Sequence, residues 1–156
     1  MTEPFLGFFG SSTTTQLLLF QNNSYEILGM DIDMPLGQAY SDLSKELNIP
    51  IVDIENANNN EIINYPVPLL THKGLDFSFA GAFYSSLQRI YPKRRTLSHR
   101  CPLAEPCYMF EDSQGMSILA QSFQHAVLLQ ITQRVSKAIK WVKINHPSIK
   151  VLVSFI

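Results

Sequence analysis

No run of apolar residues in this 156-residue chain approaches the roughly 18 that a membrane-spanning helix needs, so a membrane span is not expected. Neither sign of charge predominates, because 12 Lys and Arg residues face 13 Asp and Glu residues. The formal net charge of -1 leaves only a local basic patch as a means of attracting nucleic acid. Met1-Thr2-Glu3 forms neither a secretory signal nor an Arg-rich transit peptide. With 46% hydrophobic and 16% charged residues, the composition is that of one ordinary soluble domain.

Cysteine is equally rare, because Cys101 and Cys107 are the only two in the chain. A disulfide or half a metal site is one interpretation, but no His-x-x-His or second Cys pair completes a tetrahedral zinc set. We therefore treat both as ordinary loop thiols. Nearby, Lys93-Arg94-Arg95 and Arg100 form a basic cluster. This cluster has two possible interpretations, a contact with RNA phosphate or a solvated loop. The lack of interleaved aromatic residues favours the loop.

Apolar patterning predicts the first half of the chain as strands followed by a helix. The continuous apolar runs 4–9 and 16–20 are typical of strands buried on both faces, and a third short strand is predicted over 25–28. Pro35, preceded by the acidic Asp33, suits the first turn of a helix over 36–47. One face of that helix is apolar: Leu36, Ala39, Tyr40, Leu43 and Leu47.

The second half is predicted to contain a short strand, two helices and a final strand. Residues 76–79 alternate as a strand does, and a helix follows from Gly81 to before Pro92. A long helix from Gln114 to before Pro147 carries one buried stripe: Met116, Leu119, Phe123, Val127, Ile131, Val135, Ala138 and Val142. The run 149–156 reads as a strand. Irregular loops are expected near 50–66 and 90–113, and the whole chain is predicted to be one α/β domain over 1–156.

Two polar features have competing interpretations. The loop Gly10-Ser-Ser-Thr-Thr-Thr15 joins two adjoining strands, and its backbone N–H groups are able to converge on an anion, although a Ser/Thr-rich hairpin is usually only a turn. His125 lies near the apolar face of the long helix. Because no second His or carboxylate sits one turn away in a matching pattern, a packed or solvent-touching histidine is the favoured interpretation over a metal ligand.

Several ordered segments together resemble one family. Gly74-Leu-Asp-Phe-Ser-Phe-Ala-Gly81 is similar to G-L-D-F-S-F-S-G, and Tyr65-Pro-Val-Pro-Leu69 to an F-P-x-P stretch. Pro4-Phe-Leu6, Ser11 and Thr15-Gln-Leu17 resemble P-F-x-x-L-x-V-S-G-G-H-T-Q-L, and Tyr25-Glu-Ile-Leu-Gly29 resembles Y-E-L-L-G. Asp33 with Gly37-Gln-Ala-Tyr40 is similar to D-D-A-x-G-E-A-F, and Ser122-Phe-Gln-His-Ala-Val127 to S-F-Q-x-A-V. By these motifs the chain is identified as a member of the tRNA threonylcarbamoyladenosine-forming transferases, in the branch with D-F-S-F, which is bacterial or mitochondrial.

The resemblance implies part of an actin-like, two-lobed fold of the sugar kinase and Hsp70 ATPase type. It implies transfer of a threonylcarbamoyl group from its adenylate to the adenosine beside the tRNA anticodon. One divalent ion such as iron or zinc, held by H-x-E-G-H and a later Asp, orients the adenylate. The expected partners are tRNA, the adenylate, and a second copy or a related subunit. Matched motif positions place substrate binding at Ser11, Thr15 and Gly37.

Departures from the pattern affect the groups that hold the ligand. No H-x-E-G-H or later metal Asp occurs here, so no catalytic residue and no metal ligand is assigned. Ser12, Thr13 and Thr14 replace the Gly-Gly-His of the loop, where glycines would let the backbone approach phosphate. Ser41 replaces the Asp that the family uses on the ribose, and the P-G-G-P turn has no counterpart after Pro50. The G-G-V-x-x-N motif expected after the last strand is also missing.

Three hypotheses follow from the matches and the departures. The chain is a fragment or splice product of a functional transferase, a decayed paralogue that acts as a non-catalytic interaction module, or an α/β domain whose role no residue indicates. Loss of the metal, ribose and nucleoside contacts together predicts that these 156 residues do not catalyse the transfer alone. A transcript that extends into H-x-E-G-H and G-G-V would favour the fragment. The location is expected to be mitochondrial if the chain follows the organellar branch, and cytoplasmic otherwise.

Overall fold

The chain forms a four-stranded sheet with helices packed against one face. The computed structural model describes residues 5–91 and 112–147 and the backbone of residues 153–155. Its elements are β1 (Phe5–Gly10), β2 (Thr15–Gln21), β3 (Ser24–Met30), α1 (Leu36–Leu47), α2 (Ile51–Glu55), α3 (Ala80–Ile90), α4 (Ser113–Asn145) and β4 (Val153–Phe155). The strand order is β3-β2-β1-β4. The first three strands are antiparallel to their neighbours in the chain, and β4 is parallel to β1. The α/β class predicted from the sequence is confirmed.

The two faces of the sheet have different environments. On the inner face, Leu6, Phe8, Leu17 and Leu19 are buried in the core with residues of the helices. Residues directly opposite each other in the register share a face. The outer face is therefore formed by Phe5, Gly7, Phe9, Gln16, Leu18, Phe20, Tyr25, Ile27 and Met30. The prediction of strands buried on both faces is wrong for the outer face, because the core helices pack on the inner face only.

Helix α1 agrees with its predicted bounds and apolar face. Ala39, Leu43 and Leu47 are buried against the core. The Tyr40 ring meets Phe123 of α4 edge-on, with ring centroids 5.0 Å apart. Burial, and secondarily the negative charge of Glu55, raises the pKa of the Tyr40 phenol to about 12. This side chain is therefore part of the packing between α1 and α4.

Two predicted segments differ in the structure. The irregular loop predicted near 50–66 begins with helix α2, which Pro50 precedes in a conformation that suits a helix start. Residues 76–79 do not form a strand. Only Phe77 makes a parallel bridge with Asp31, donating its N–H to the Met30 carbonyl at 2.9 Å. The alternation in this segment arises because Phe77 and Phe79 both turn into the core and stack at 5.8 Å.

Helix α4 is the longest element and bears the predicted apolar stripe. Within that stripe Leu119, Phe123, Val127, Ala138 and Val142 are buried, while Met116, Ile131 and Val135 pack at its margin. Among the described residues no helix is long and apolar enough to cross a membrane. The predicted irregular stretch near 90–113 lies mostly outside the described residues. The cysteine pair, the basic cluster 93–100 and the side chains of the final strand all lie outside them.

The S-F-Q segment of α4 fixes the chain that follows α2. Ser122 Oγ accepts a hydrogen bond from the Ile63 N–H at 2.9 Å, and Gln124 Nε2 donates to the Glu55 carbonyl at 2.6 Å. Phe123, between them, is fully buried. These contacts hold both ends of the 55–63 connection against one helix, although the connection itself is largely irregular.

The buried face of α4 also carries two polar residues that the apolar pattern did not predict. Gln130 accepts from the Ser78 N–H at 3.2 Å and donates to the Pro68 carbonyl at 3.3 Å. Arg134 is 1% exposed and donates to three backbone carbonyls, those of Leu69, His72 and Gly74. Burial lowers the pKa of the Arg134 guanidinium, while nearby Asp76 raises it.

The guanidinium of Arg134 holds a loop that has little regular structure of its own. Residues 65–79 are neither helix nor extended strand, and Leu69 has a φ of 57°, an unfavourable value for a residue with a side chain. The Leu69 carbonyl accepts from both Arg134 and the His72 N–H. The loop conformation therefore depends on hydrogen bonds from α4.

Replacing Arg134 with Met should lower the free energy of unfolding by about 1–3 kcal/mol, because buried carbonyl oxygens lose their donors. The measurement is urea denaturation followed by circular dichroism. Lys137→Met is the matched control, since Lys137 donates only to the His72 carbonyl from a more exposed position and should change stability much less. Equal losses in the two variants would contradict a special role of Arg134.

Candidate functional site

The loop between β1 and β2 is closed by its own first side chain. The Ser11 N–H donates to the Thr14 carbonyl at 2.8 Å. Ser11 Oγ accepts from the N–H groups of Thr13 and Thr14 at 3.2 and 3.1 Å. A serine hydroxyl that satisfies two following N–H groups stabilises a compact turn. Ser12 and Thr13, at the tip, are exposed to solvent.

The loop and β2 supply the acceptors for the first turn of α1. A helix start leaves N–H groups without intrahelical partners. Here the Leu36 N–H donates to Thr15 Oγ1 at 2.8 Å, and the Gly37 N–H donates to the Ser11 carbonyl at 3.0 Å. Ser11, Thr15 and Gly37, which the motifs indicate separately, therefore lie together at one point of the fold. Thr15 is fully buried there.

Gly37 lies in close contact with the backbone of the loop. A Cβ added at Gly37 would lie 2.8 Å from the carbonyl carbon and oxygen of Ser11 and from the Ser12 nitrogen. All three atoms belong to the backbone, so no side-chain rotation relieves the overlap. The position needs glycine for space, since its φ is not positive.

Gly37→Ala should lower stability by roughly 1 kcal/mol. The backbone overlap, about 1–3 kcal/mol, exceeds the gain of at most about 1 kcal/mol from replacing a helical glycine with alanine. Thermal unfolding measures the difference. Gln38→Ala, at the exposed neighbouring position, serves as the control and should leave the midpoint nearly unchanged. A higher midpoint for Gly37→Ala would show that the loop yields freely.

Asp31 completes the loop, although no sequence pattern indicated this residue. Its carboxylate accepts the Thr15 N–H, and its own N–H donates to the Thr15 carbonyl at 3.0 Å. The N–H groups of Thr13, Thr14 and Thr15 thus all donate to protein oxygens. Together with the Ser11 N–H, four backbone donors of the loop are engaged within the protein, and Ser12 and Thr13 are exposed at its tip.

Asp33 accepts the Met34 N–H just before α1 at 2.6 Å and also binds the start of α3, which the sequence pattern did not indicate. Its carboxylate accepts from the N–H groups of Phe79 at 3.1 Å and Ala80 at 3.4 Å and from the Ser78 hydroxyl. These groups belong to the start of α3, where a negative charge is favourable. Asp33 therefore joins the segment before α1 to the first turn of α3, through contacts about 45 residues apart in sequence.

Asp33→Ala should lower the free energy of unfolding by about 0.5–2 kcal/mol, as the loss of a helix cap does. Asp33→Asn keeps one oxygen acceptor and should lose less. Chemical denaturation of the two variants and the unmodified chain provides the comparison. If Asp33→Ala unfolds at the same denaturant concentration as the unmodified chain, the contact with α3 contributes nothing.

Two positions where the chain departs from the family motifs lie on or beside α1. Ser41 stands one helical turn after Gly37, on the same side of α1. Pro50, after which the P-G-G-P turn would follow, precedes α2 instead. His125 is half-buried on α4.

Within residues 5–91 and 112–147 no group of three or more His, Cys, Asp or Glu side chains is placed to hold a metal ion.

The structure is that of an α/β protein in which a strand–loop–strand turn lies beside a helix start. The turn is the β1–β2 hairpin, the helix is α1, and the chain returns through α4 to the parallel strand β4. The family model of tRNA N6-adenosine threonylcarbamoyltransferase (TsaD) matches residues 2–154. The chain belongs to this family. The resemblance drawn from the motifs is confirmed.

Curated relatives from an organelle and from bacteria support the assignment. A protein of Arabidopsis thaliana named as a probable mitochondrial tRNA N6-adenosine threonylcarbamoyltransferase is 24% identical over 98% of this chain and 33% of its own length. Proteins named tRNA N6-adenosine threonylcarbamoyltransferase from Mesomycoplasma hyopneumoniae and Bartonella bacilliformis are 29% and 30% identical. They align with 88% and 95% of this chain, and with 42% and 38% of their own lengths. The chain thus spans less than half of each relative.

Proposed function

We propose that this chain is one part of a transferase that forms threonylcarbamoyladenosine in tRNA, and that it does not perform the transfer alone. The observation that carries the proposal is the convergence of Ser11, Thr15 and Gly37 at the start of α1. In this proposal the loop and the helix start form one wall of the site for the adenylate. The remaining contacts come from sequence that the relatives carry and this chain does not match.

The proposed architecture is a partial actin-like domain over 1–156. A β1–β2–β3 antiparallel meander followed by a helical crossover to the parallel strand β4 supports it. In such a domain the β1–β2 loop and the α1 start stand side by side, where a ligand is able to touch both. Ser11, Thr15 and Gly37 occupy those two elements.

The hydrogen bonds of the loop support the second half of the proposal. Thr13, Thr14 and Thr15 donate their N–H groups to Ser11 Oγ and the Asp31 carboxylate, so an adenylate phosphate would have to displace bonds that hold the hairpin together. The Asp31 carboxylate would also repel it. Ser41, one turn further along α1, offers a hydroxyl in place of a charged acceptor for the ribose, and such a bond is weaker.

The purified 156-residue chain should show no stoichiometric binding of the threonylcarbamoyl adenylate in calorimetry and no threonylcarbamoyladenosine in tRNA after incubation with it. The full-length Bartonella bacilliformis relative, handled in parallel with the same divalent metal, is the positive control. Mass spectrometry of digested tRNA detects the product. Formation of modified tRNA by the chain unaided would refute the second half of the proposal.

A second candidate function is a non-catalytic interaction module, the form that a decayed paralogue would take. The outer face of the sheet favours it, because Tyr25, Ile27 and Met30 remain 64%, 46% and 45% exposed. The partner would be a second copy or a related subunit.

A mitochondrial location, with the cytoplasm as the alternative, is proposed on the likeness to the Arabidopsis protein. Imaging of the tagged chain together with an organelle marker tests it.

A further inference from the structure

The charges of this chain are separated along its length. Residues 1–92 hold 3 basic and 10 acidic side chains, whereas residues 113–156 hold 5 basic side chains and no acidic one. Helix α4, which covers most of the second segment, therefore bears only positive charges: Arg134, Lys137, Lys140 and Lys143. The near-neutral net charge results mainly from two segments of opposite sign.

Three of these charges lie together near the end of α4. Lys140 and Lys143 are exposed, and Lys137 is half-buried. Because they recur every third residue, they span about 9 Å along the helix axis and occupy neighbouring parts of its surface. Within residues 5–91 and 112–147 none of the three forms an ion pair. We call these three residues the lysine strip.

The loop 65–79 adds a further positive charge beside the helix. Lys137 Nζ donates to the His72 carbonyl at 2.9 Å, and the next residue along the chain is the exposed Lys73. Asp76 is the nearest acidic residue in this loop, and its carboxylate accepts the Met30 N–H at 3.2 Å. The basic surface thus draws on two elements, α4 and the loop that Arg134 holds against it.

Two ordinary explanations account for only part of the lysine strip. Cations stabilise the C-terminal end of a helix, but this effect is confined to the last turn, where Lys143 is the basic residue. The exposed face of a helix in a soluble protein usually carries charges of both signs, which pair at positions three or four apart. Helix α4 has no acidic residue over its 33 positions, so its exposed face is not of this kind.

An aromatic side chain lies among the lysines. Trp141 is 37% exposed and stands one helical turn after Lys137 on the same side of α4. Its ring is tilted by 54° against that of His146, with centroids 5.6 Å apart. A basic patch with an interleaved aromatic residue is typical of nucleic-acid surfaces, where the ring stacks on an unpaired base. The cluster over 93–100 lacks this feature.

We infer that the lysine strip binds the phosphate backbone of tRNA and that Trp141 stacks on one of its unpaired bases. This inference rests on the proposed function, because it takes the RNA from the family to which the chain belongs. An anionic lipid surface fits less well. A helix that lies on a membrane turns its apolar side to the lipid, and the apolar stripe of α4 is buried in the core instead.

The test measures fluorescence anisotropy of a labelled, unmodified tRNA transcript titrated with the 156-residue chain over a series of salt concentrations. Binding should be salt-dependent, with a Kd of roughly 1–100 μM, as for phosphate contacts alone. Replacing Lys137, Lys140 and Lys143 with Gln should weaken binding roughly tenfold or more. It should also reduce the slope of log affinity against log salt by about two.

The matched control removes the same number of charges from another part of the chain. Lys93→Gln, Arg94→Gln and Arg95→Gln in one chain should change the affinity and the salt slope much less. Circular dichroism confirms that each variant is folded. The single variant Lys140→Gln, at an exposed position, should give about a third of the slope change and replaces the triple variant if that variant does not fold.

Trp141 is tested separately, because stacking does not depend on released counterions. Trp141→Ala should weaken tRNA binding roughly fivefold or more with an unchanged salt slope, the lower end of what one stacked base contributes. Trp141→Phe keeps an aromatic ring and should retain most of the affinity. Equal affinities of the two variants and the unmodified chain would overturn the stacking contact.

Three results overturn the phosphate contact: no binding of tRNA, equal losses in the two triple variants, or a salt slope that the lysine variant leaves unchanged. Vesicles of phosphatidylserine and phosphatidylcholine are assayed in parallel. Binding to these vesicles alone, lost in the lysine variant, would assign the surface to anionic lipid. Neither adenylate nor metal enters these assays, so their failure is distinct from that of the proposed function, which the measurement of modified tRNA decides.

Discussion

Two of the N–H groups that the first turn of α1 leaves free are satisfied by the hairpin that precedes it, and the position of the helix against the sheet depends on this contact. Thr15 Oγ1 and the Ser11 carbonyl take the donors of Leu36 and Gly37. An unsatisfied buried donor costs about 1–3 kcal/mol, so the hairpin and the helix stabilise each other. The contact also fixes the distance between their backbones, which is why glycine is required at position 37.

A second set of hydrogen bonds, from the N–H groups of Thr13, Thr14 and Thr15, would compete with an anionic ligand in the proposed site. A backbone N–H has one proton to donate, so a group engaged by Ser11 or Asp31 is not available to phosphate. An open loop built from glycines would leave those donors free and unsupported until the ligand arrives. In the hydroxyl-rich loop of this chain these N–H groups form internal hydrogen bonds, so they are not free to bind phosphate. Stability and anion binding thus compete for the same few groups.

The sequence predicted elements whose cause is local, and it missed those whose cause lies far along the chain. Strands β1 to β3 and helices α1 and α4 follow from apolar periodicity, and the family motifs indicated Ser11, Thr15 and Gly37. The partners of Asp31 and Asp33 are decided by tertiary packing, and no spacing rule indicated them. Phe77 and Phe79 imitate a strand because both enter the core.

Polar residues on an apolar stripe are the other kind of feature that periodicity hides. Gln130 and Arg134 lie at helical spacing with the core residues of α4, so their positions are predictable but their purpose is not. Their purpose appears only when the irregular loop 65–79 is seen beside them, with carbonyl groups that no strand or helix satisfies. The half-exposed outer face of the sheet was wrongly predicted to be buried, and the reason again lies in tertiary packing. An apolar strand indicates that a face can be buried, and what buries it lies elsewhere in sequence.

The regularity of α4 has a consequence for how its gene can change. Each residue of a helix turns the chain by about 100°, so one codon inserted between those for Phe123 and Gln130 would swing every later side chain away from its partner. Gln130 and Arg134 would no longer reach the loop that they hold. Leu128 and Leu129, which now face solvent, would turn to a different side of the helix. Substitutions along α4 are thus far easier to accommodate than insertions or deletions, and its length is fixed more strictly than its composition.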